Sequence, residues 1–535
     1  MYDFEMIRLN GISPAAIACA GILILGAYTL EQYARVRSTW RIIPIRVFPI
    51  SPQRVLSNLL PQTKWNPTVL FTWLERHTLY ESSDTIGVIS LLQGPPSLFT
   101  SSPEVIHQVM NTKAPFVKTK PAQEFVGVMG ANVLASEGDT WKRHRAIVSP
   151  AFSNEGYKKV WAETLRMYQE IWTCEGWEDQ YSVSLPNMYL ITKKLALSII
   201  SSCGFNIPLN WTDKETDKDG KLTLYGVLKT VASSIFIRHL TPRWAYYLPI
   251  PSLRLVDTAY NQLEAFLHKQ VVQRKEDIVE EIKSGMDPLE AKRDIFSRLV
   301  SASVNEEKLG LSDREIKGNT FIMLFAGHET TAHTLAVTLI LLGLYEEEQE
   351  RLHANIMNVI GDHLPAFEDY DSLESVVLPV AFESLRLYPA VFMMIREASE
   401  DTTLSVPKAD GPGTTELFVP KGTEVILDLV GTGDTSGYNR RYYPDADTFK
   451  PSNFEGHLDA TFEFSVGPRS CLGRKFAMVE IVCFLATILR DWKVEVVRDA
   501  GETREQWRER VLRARFEIVM ILPDLPLKLV RRQGI

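Results

Sequence analysis

Near the C-terminal end, Phe464, Gly467, Pro468, Arg469, Cys471 and Gly473 place a turn, a cation and a thiol within one short loop. Gly467 and Pro468 turn the chain tightly, and the composition from Leu472 onward is helical, so Cys471 is expected at a helix N-terminus. Unpaired amides and the helix dipole at such a place favour a thiolate, the form in which cysteine ligates a metal. Gly473 leaves room for a flat macrocycle close to the backbone. Phe464 is placed to shield the sulfur, and Arg469 to pair with a carboxylate of the bound group. The other cysteines, Cys19, Cys174, Cys203 and Cys483, show no paired spacing. They read mostly as reduced core thiols, with neither a disulfide framework nor a CxxC zinc site.

A second group lies upstream, at Ala326, Gly327, His328, Glu329, Thr330 and Thr331. Ala326, Glu329 and Thr330 fall at i, i+3 and i+4 and are expected to share one helical face. Gly327 allows close approach of a ligand and a local distortion of the helix. An alcohol beside an acid can relay protons, with Thr330 as hydrogen-bond relay and Glu329 as proton source. His328 and His333 are five residues apart, whereas a zinc-protease helix needs its histidines at i and i+4.

The loop pattern Phe-x-x-Gly-x-Arg-x-Cys-x-Gly resembles the haem signature of the cytochrome P450 family, and the likeness continues through Ala477 and Glu480. The Ala326 to Thr331 stretch is similar to the oxygen-activation motif of the same family. The resemblance implies heme b (iron protoporphyrin IX) with Cys471 as its axial ligand, and O2 as co-substrate. It also implies that Glu383 and Arg386 form the Glu-x-x-Arg pair that braces the cysteine loop. The same spacing recurs at Glu163/Arg166, Glu290/Arg293 and Glu348/Arg351, where an exposed pair is a sufficient explanation. Phe449, Pro451 and Phe454 match the family's Phe-x-Pro-x-Arg-Phe, but Asn453 stands at the arginine position. An amide brings no charge, so a two-membered pair with an amide bridge is expected. Trp141 and Arg145 look like the family's Trp-x-x-x-Arg, and with Arg396 and Arg469 they are expected to hold the haem propionates. Lys142, Arg143, Arg474 and Lys475 form a local basic patch suited to an acidic electron donor, which the resemblance implies is NADPH-cytochrome P450 reductase.

By the same likeness the substrate pocket is lined by the loop 125–133 with Phe125, by the segment 235–248, by Phe321, Phe325 and Ala326, and by Val391, Phe392 and Met393 within 390–394. These side chains are mostly large and apolar, so a lipophilic small molecule is expected. The general look is similar to fungal members of the family that tailor terpenoids and similar secondary metabolites.

These groups must be positioned by the rest of a 535-residue chain, which is 45% hydrophobic and 23% charged, as in an ordinary globular protein. A net charge of -8 excludes broad nucleic-acid binding. Residues 11–30 carry no charge and are long enough to span a bilayer. Arg35, Arg37, Arg41 and Arg46 follow them, while Arg8 is offset by Asp3 and Glu5, so the bulk of the chain is expected on the cytosolic side. Pro44, Pro49 and Pro52 then read as a hinge. Residues 85–92 and 96–100 read as a hairpin, and helical periodicity dominates from Pro103 to Leu387. Ser312 and Glu315 form a capping box for a long apolar helix running to about Glu346. Strands return beyond Leu404, including 417–419 and 424–427 joined by Lys421 and Gly422, and a last helix follows Cys471.

The expected fold is therefore mainly α with small β-sheets, a cytochrome P450 fold over 44–535 preceded by one transmembrane helix over 11–30. The expected enzyme is a single-pass endoplasmic reticulum protein that inserts one atom of O2 into a lipophile, with electrons from NADPH through the reductase. Two alternatives stand beside it. One is an isomerase or dehydratase on the same fold, against which Glu329 and Thr330 argue. The other is a non-catalytic haem sensor, which has no need of proton-relay residues.

Overall fold

The computed structural model describes residues 14–66, 68–92, 94–285, 294–305, 310–408, 411–433, 445–456, 462–516 and 519–532. They fall into two compact units: Met1–Phe116 with Met393–Pro444, and Val117–Phe392 with Asp445–Ile535.

The first unit is built on a sheet in which strands Ile45–Phe48, Thr85–Ser90, Ser97–Thr100, Glu424–Asp428 and Met393–Ala398 lie side by side in that order. Thr85–Ser90 and Ser97–Thr100 form the expected hairpin, with Thr85 opposite Thr100. The proline-punctuated stretch is not a hinge: Ile45–Phe48 pairs in parallel with Thr85–Ser90, Ile45 opposite Gly87. Only glycine fits at 87, because a Cβ there would meet the Trp40 ring at 2.8 Å. The strands about Lys421 and Gly422 do not pair with each other. Thr414–Val419 pairs with Thr402–Pro407, and Glu424–Asp428 joins the larger sheet. Phe48, Phe71, Tyr80, Phe99 and Ile426 pack as one core. In it Tyr80 donates to Asp428 Oδ2 at 2.9 Å.

Helix Pro14–Thr39 also belongs to this unit. Among the described residues no helix is long and apolar enough to cross a membrane, so the span expected over 11–30 is unconfirmed. Residues 11–13 lie outside the described part.

The second unit is helical, with one antiparallel sheet of Trp492–Glu495, Leu527–Arg531 and Ser182–Leu185. Its longest apolar helix, Asp313–Leu344, starts at the expected capping box, with Ser312 and Glu315 each bonding the other's backbone N–H. At the usual rise its 32 residues span about 50 Å. It packs along helix Met188–Phe205, where Thr192 Oγ1 donates to the Ala332 carbonyl at 2.8 Å. Helices Tyr370–Leu387 and Arg474–Asp491 pack on each other and on the 313–344 helix. Asn206 ends the 188–205 helix in a left-handed conformation, φ 53°. The chain after Asp491 adds strands and a helix, Arg504–Val511, beyond the helix read as last.

Candidate active site

The cysteine loop folds by a few local bonds. The Cys471 N–H donates to the Phe464 carbonyl at 2.8 Å, and Ser470 N–H to the Gly467 carbonyl at 3.0 Å. Gly467 takes φ 70° and Ser465 φ 60°, so the turn rests on two left-handed residues. The helix after the loop begins at Arg474 and is buried at Phe476 and from Met478 to Arg490. The Cys471 sulfur faces the amides of Gly473 and Arg474 and the charges of Arg145 and Arg474. These favour the thiolate, as expected, but burial outweighs them and pushes the thiol up. A cation bound at the sulfur would reverse that balance. A Cβ on Gly473 would stand 4.0 Å from the sulfur, in ordinary contact, so glycine there keeps a methyl off the sulfur's approach. Phe464 lies 5.8 Å from the Phe382 ring and takes the Arg474 guanidinium on its face at 5.8 Å. Of the other cysteines, Cys203 and Cys483 are buried, whereas Cys19 and Cys174 are exposed and are not core thiols.

Trp141 and Arg145 come from helix Gly138–Val148. Arg145 donates to the Ser470 carbonyl at 2.8 Å, which brings it beside Cys471. Arg469 covers the Trp141 ring at 4.2 Å. It donates to the Ser136 carbonyl at 2.9 Å and forms an ion pair with Glu137. Glu137 was not singled out from the sequence, and it gives Arg469 a protein carboxylate in addition to any carboxylate of a ligand. Arg145 has no ion-pair partner among the described residues, and burial holds its guanidinium below the usual value. Arg396 and Met393 belong to the first unit, on strand Met393–Ala398, where Arg396 donates to the Ile395 carbonyl at 2.9 Å.

This donor set fits a haem. Cys471 is accessible yet densely surrounded, so a soft ligand atom is offered at a restricted place. A half-buried guanidinium without a carboxylate stands next to it. An iron-bearing macrocycle with carboxylate arms answers both.

The 313–344 helix is buried on nearly every side, but Ala326 is exposed and Gly327 and Thr330 are half-buried. Ala326 and Thr330 thus share an open stripe. Glu329 does not join them: it is 2% exposed and bonded to Lys193 on the 188–205 helix. The three residues read as one face are split, because the neighbouring helix supplies a cation on the other side. Thr330 Oγ1 donates to the Ala326 carbonyl at 2.9 Å, and Thr331 Oγ1 to the Gly327 carbonyl at 3.1 Å. The helix is continuous through Gly327, from Asp313 to Leu344. A Cβ at Gly327 would meet Ile200 at 3.1 Å, so this glycine serves helix packing. His328 and His333 hydrogen-bond different carbonyls, Leu324 and Tyr388, each at 2.9 Å.

The brace is fully assembled. Arg386 donates from Nε and Nη2 to the two oxygens of Glu383 at 2.7 and 2.8 Å. The Lys450 N–H and Asn453 Nδ2 reach Glu383 Oε1 at 2.8 and 3.2 Å. Arg386 also donates to the Ala446 carbonyl at 2.7 Å, tying down the chain that leads to the cysteine loop. Glu163/Arg166 and Glu348/Arg351 have the same spacing but lie at the surface, so burial is what separates them from this pair.

The pocket residues do not converge as expected. Phe321 and Phe325 stack at 5.9 Å and line a small cavity of about 10 Å³ with Leu228, Leu263 and His328. Counting at 100° per residue, that face is opposite the Ala326 and Thr330 stripe. Both phenylalanines are buried against neighbouring helices, and of the three distal-helix pocket residues Ala326 alone is open. Phe125 packs on Phe236 at 4.8 Å, joining the 120–126 and 235–240 helices. Val391 is exposed and Phe392 buried.

The basic patch is largely neutralised from within. Arg143 is held by Glu315, Lys475 by Glu374 with its ammonium 3.9 Å over the Tyr370 ring, and Lys142 by the exposed Asp139. A buried network missed in the sequence stands behind Arg143. His144 Nε2 faces Glu315 at 3.2 Å, and Asn319 Nδ2 donates to His144 Nδ1 at 2.9 Å. Asn319 Oδ1 then accepts the Val133 N–H at 2.8 Å, docking the 125–133 loop. A lysine or asparagine inside an apolar helix, as at Lys193 and Asn319, is the sequence signal that would have found these partners.

A mainly helical unit with an accessible cysteine loop, a buried Glu/Arg brace and an acid and alcohol in one long helix defines a haem-thiolate enzyme. The family model described as Cytochrome P450 matches residues 87–518, and the chain belongs to the cytochrome P450 family. A relative from Postia placenta, cytochrome P450 monooxygenase 124, is 34% identical, with 86% of this chain and 89% of the relative covered. Cyclooctat-9-en-7-ol 5-monooxygenase of Streptomyces melanosporofaciens is 27% identical, with 77% and 83% covered. A crystal structure of a cytochrome P450 (CYP102L1) superposes with a TM-score of 0.68 at 20% identity, covering 88% of this chain and 99% of that one. The protein is an enzyme, in general terms a haem-thiolate monooxygenase.

Proposed function

We propose that the protein inserts one atom of O2 into a C–H or C=C bond of a lipophilic small molecule, with electrons drawn from NADPH through a flavoprotein reductase. The observation that carries this reading is the Cys471 loop, an accessible thiol faced by two amides and the unneutralised Arg145. Haem bound there supplies the activation of O2. Cys471 would ligate its iron, with Phe464 and Gly473 flanking the sulfur. Arg145, Trp141 and Arg469 would take its carboxylates. Thr330, on the open stripe, holds a hydroxyl proton that now rests on the Ala326 carbonyl and can be turned toward an acceptor. Glu329 is the proton source behind it. The acid and alcohol favour oxygen chemistry over isomerisation or gas sensing.

Ala326, Phe125 and Val391 leave apolar surface for a lipophile. The Streptomyces relative is named for a cyclic alkenol, which supports a carbocyclic substrate such as a terpenoid or another secondary metabolite. The test is binding-induced spectral titration of the haem protein with terpenoids, sterols and fatty acids, followed by NADPH- and reductase-dependent turnover. Product from a titrating terpenoid fits the reading. Titration with none of the three classes, or no NADPH-dependent oxygen uptake with any binder, contradicts it.

We further propose that the chain sits at the endoplasmic reticulum membrane, held by the segment 11–30, with the catalytic part cytosolic. Leu23, Ile24 and Leu30 are each about 70% exposed on helix Pro14–Thr39, which supports a lipid-facing segment. The exposed sequon at Asn210 should stay unglycosylated; a glycan there would reverse the orientation.

A further inference from the structure

The chain between helices Lys120–Val126 and Gly138–Val148 carries apolar side chains that the protein does not bury fully. Phe125, Val126, Val128, Met129 and Val133 are all half-buried. The backbone that bears them is nevertheless fixed. Asn132 Nδ2 donates to the Val126 and Gly130 carbonyls at 2.8 and 3.1 Å, and its Oδ1 accepts the Leu134 and Ala135 N–H groups at 3.0 and 2.8 Å. The turn is thereby closed into one piece. It lies directly on the backbone of the 313–344 helix. A Cβ on Gly318 would meet the Ala131 carbonyl oxygen at 2.5 Å, and one on Gly130, at φ 132°, would meet the Arg314 carbonyl oxygen at 2.6 Å. Two glycines permit this approach.

Asn319 ties the turn to the helix. Its Oδ1 accepts the Val133 N–H at 2.8 Å, while its Nδ2 donates to the Glu315 carbonyl at 2.8 Å and to His144 Nδ1 at 2.9 Å. A carbonyl only accepts and a backbone N–H only donates, so turning the amide over would set like against like at both. His144 Nδ1 must then accept, its proton sits on Nε2, and Nε2 donates to Glu315 Oε1 at 3.2 Å. Asn319 and His144 are both fully buried, so water does not replace a lost partner.

We propose that Asn319 is a positioning residue for ligand selection, oriented by His144. Its bond to Val133 holds the apolar wall 125–133 at one setting on the 313–344 helix, and that setting limits the bulk of the ligand the site accepts. The inference rests on the reading of this loop as part of the substrate site.

The test titrates two azole probes against the haem-loaded enzyme, compact phenylimidazole and bulky clotrimazole, because each reports through the Soret band whether or not it is a substrate. Asn319→Ala frees Val133, and Gly318→Ala wedges the turn off the helix without removing a hydrogen-bonding group. Each should tighten clotrimazole relative to phenylimidazole by about tenfold, the equivalent of one hydrogen bond. His144→Leu should shift the ratio in the same direction, and Asn319→Ala/His144→Leu no further than Asn319→Ala, since His144 acts through the amide. Thr320→Val removes a neighbouring buried hydroxyl, bonded to the Ile316 carbonyl at 2.9 Å, and should leave the ratio at its wild-type value. An unchanged ratio in Gly318→Ala overturns the inference even where Asn319→Ala fails to fold. An equal shift in Thr320→Val also overturns it, because that marks a general loosening of the helix. A ratio shifted as expected, with no titration by terpenoids, sterols or fatty acids, leaves the clamp standing and removes the lipophile reading. No Soret shift with either azole in the wild type removes the haem site, and the inference with it.

Discussion

Removing Arg386 isolates the energetics on which the cysteine loop depends. In Arg386→Met the Glu383 carboxylate loses both guanidinium donors, at 2.7 and 2.8 Å, and keeps the Lys450 amide and the Asn453 amide. Both side chains of the pair are essentially unexposed, 2% and 0%, so solvent cannot replace what is lost. Breaking one side of such a pair costs about 3–5 kcal/mol. Asn453→Ala removes one longer bond to the same charge and should cost about 1–2 kcal/mol. The double variant Glu383→Gln/Arg386→Met removes both charges and should recover part of the larger loss. Urea denaturation of the haem-loaded protein, followed by the Soret band and by far-ultraviolet circular dichroism, measures all three. Because Arg386 also holds the Ala446 and Thr448 carbonyls, the Soret signal of Arg386→Met should be lost at lower urea than the helical signal. A cost below about 1 kcal/mol for Arg386→Met, or one equal to that of Asn453→Ala, would refute this account of the brace.

Ala326→Phe, on the open stripe, should weaken substrate-induced spectral binding, whereas Phe321→Ala should leave binding intact and cost about 3–5 kcal/mol of stability. Comparable binding losses in both would restore the single pocket read from the sequence. Burial pushes the Glu315 carboxyl up, but Arg143 and Ser312 win and hold it at about 2. A lowered carboxyl stabilises the fold above its unfolded value near ~4.3 and loses that contribution as pH falls to about 2. Glu315→Gln should therefore flatten the acid limb of stability in that window, by up to roughly 3 kcal/mol, as measured by denaturation against pH. Thr330→Val keeps the shape of the side chain, so substrate titration should be unchanged while product per NADPH falls several-fold; unchanged product would remove Thr330 from proton handling.

The sequence carried the helical character of the chain, the capping box at Ser312 and the hairpin at 85–100, because each depends on local patterning and turn chemistry. It also carried the Glu383, Arg386 and Asn453 constellation and the loop at Cys471, where several residue types must recur together. What it missed depends on which helix lies next to which. Periodicity places Ala326, Glu329 and Thr330 near one another, but Lys193, far away in the chain, draws Glu329 to the other side. Phe321 and Phe325 are apolar, and nothing local says whether they face a ligand or the 188–205 and 251–283 helices. The carboxylates beside the basic patch were missed for the same reason: Glu315 and Glu374 arrive from other elements to meet Arg143 and Lys475. Thiolate character at Cys471 was read from the helix start alone, whereas burial is a property of the assembled unit.

The central claim is that the Cys471 sulfur is the axial ligand of a haem iron. The purified, reduced protein under carbon monoxide should show a Soret band displaced far to the red of the one an imidazole-ligated haem gives, and Cys471→Ser should abolish that displacement. A Soret band at the imidazole-ligated position, or a displaced band that survives Cys471→Ser, would contradict the account.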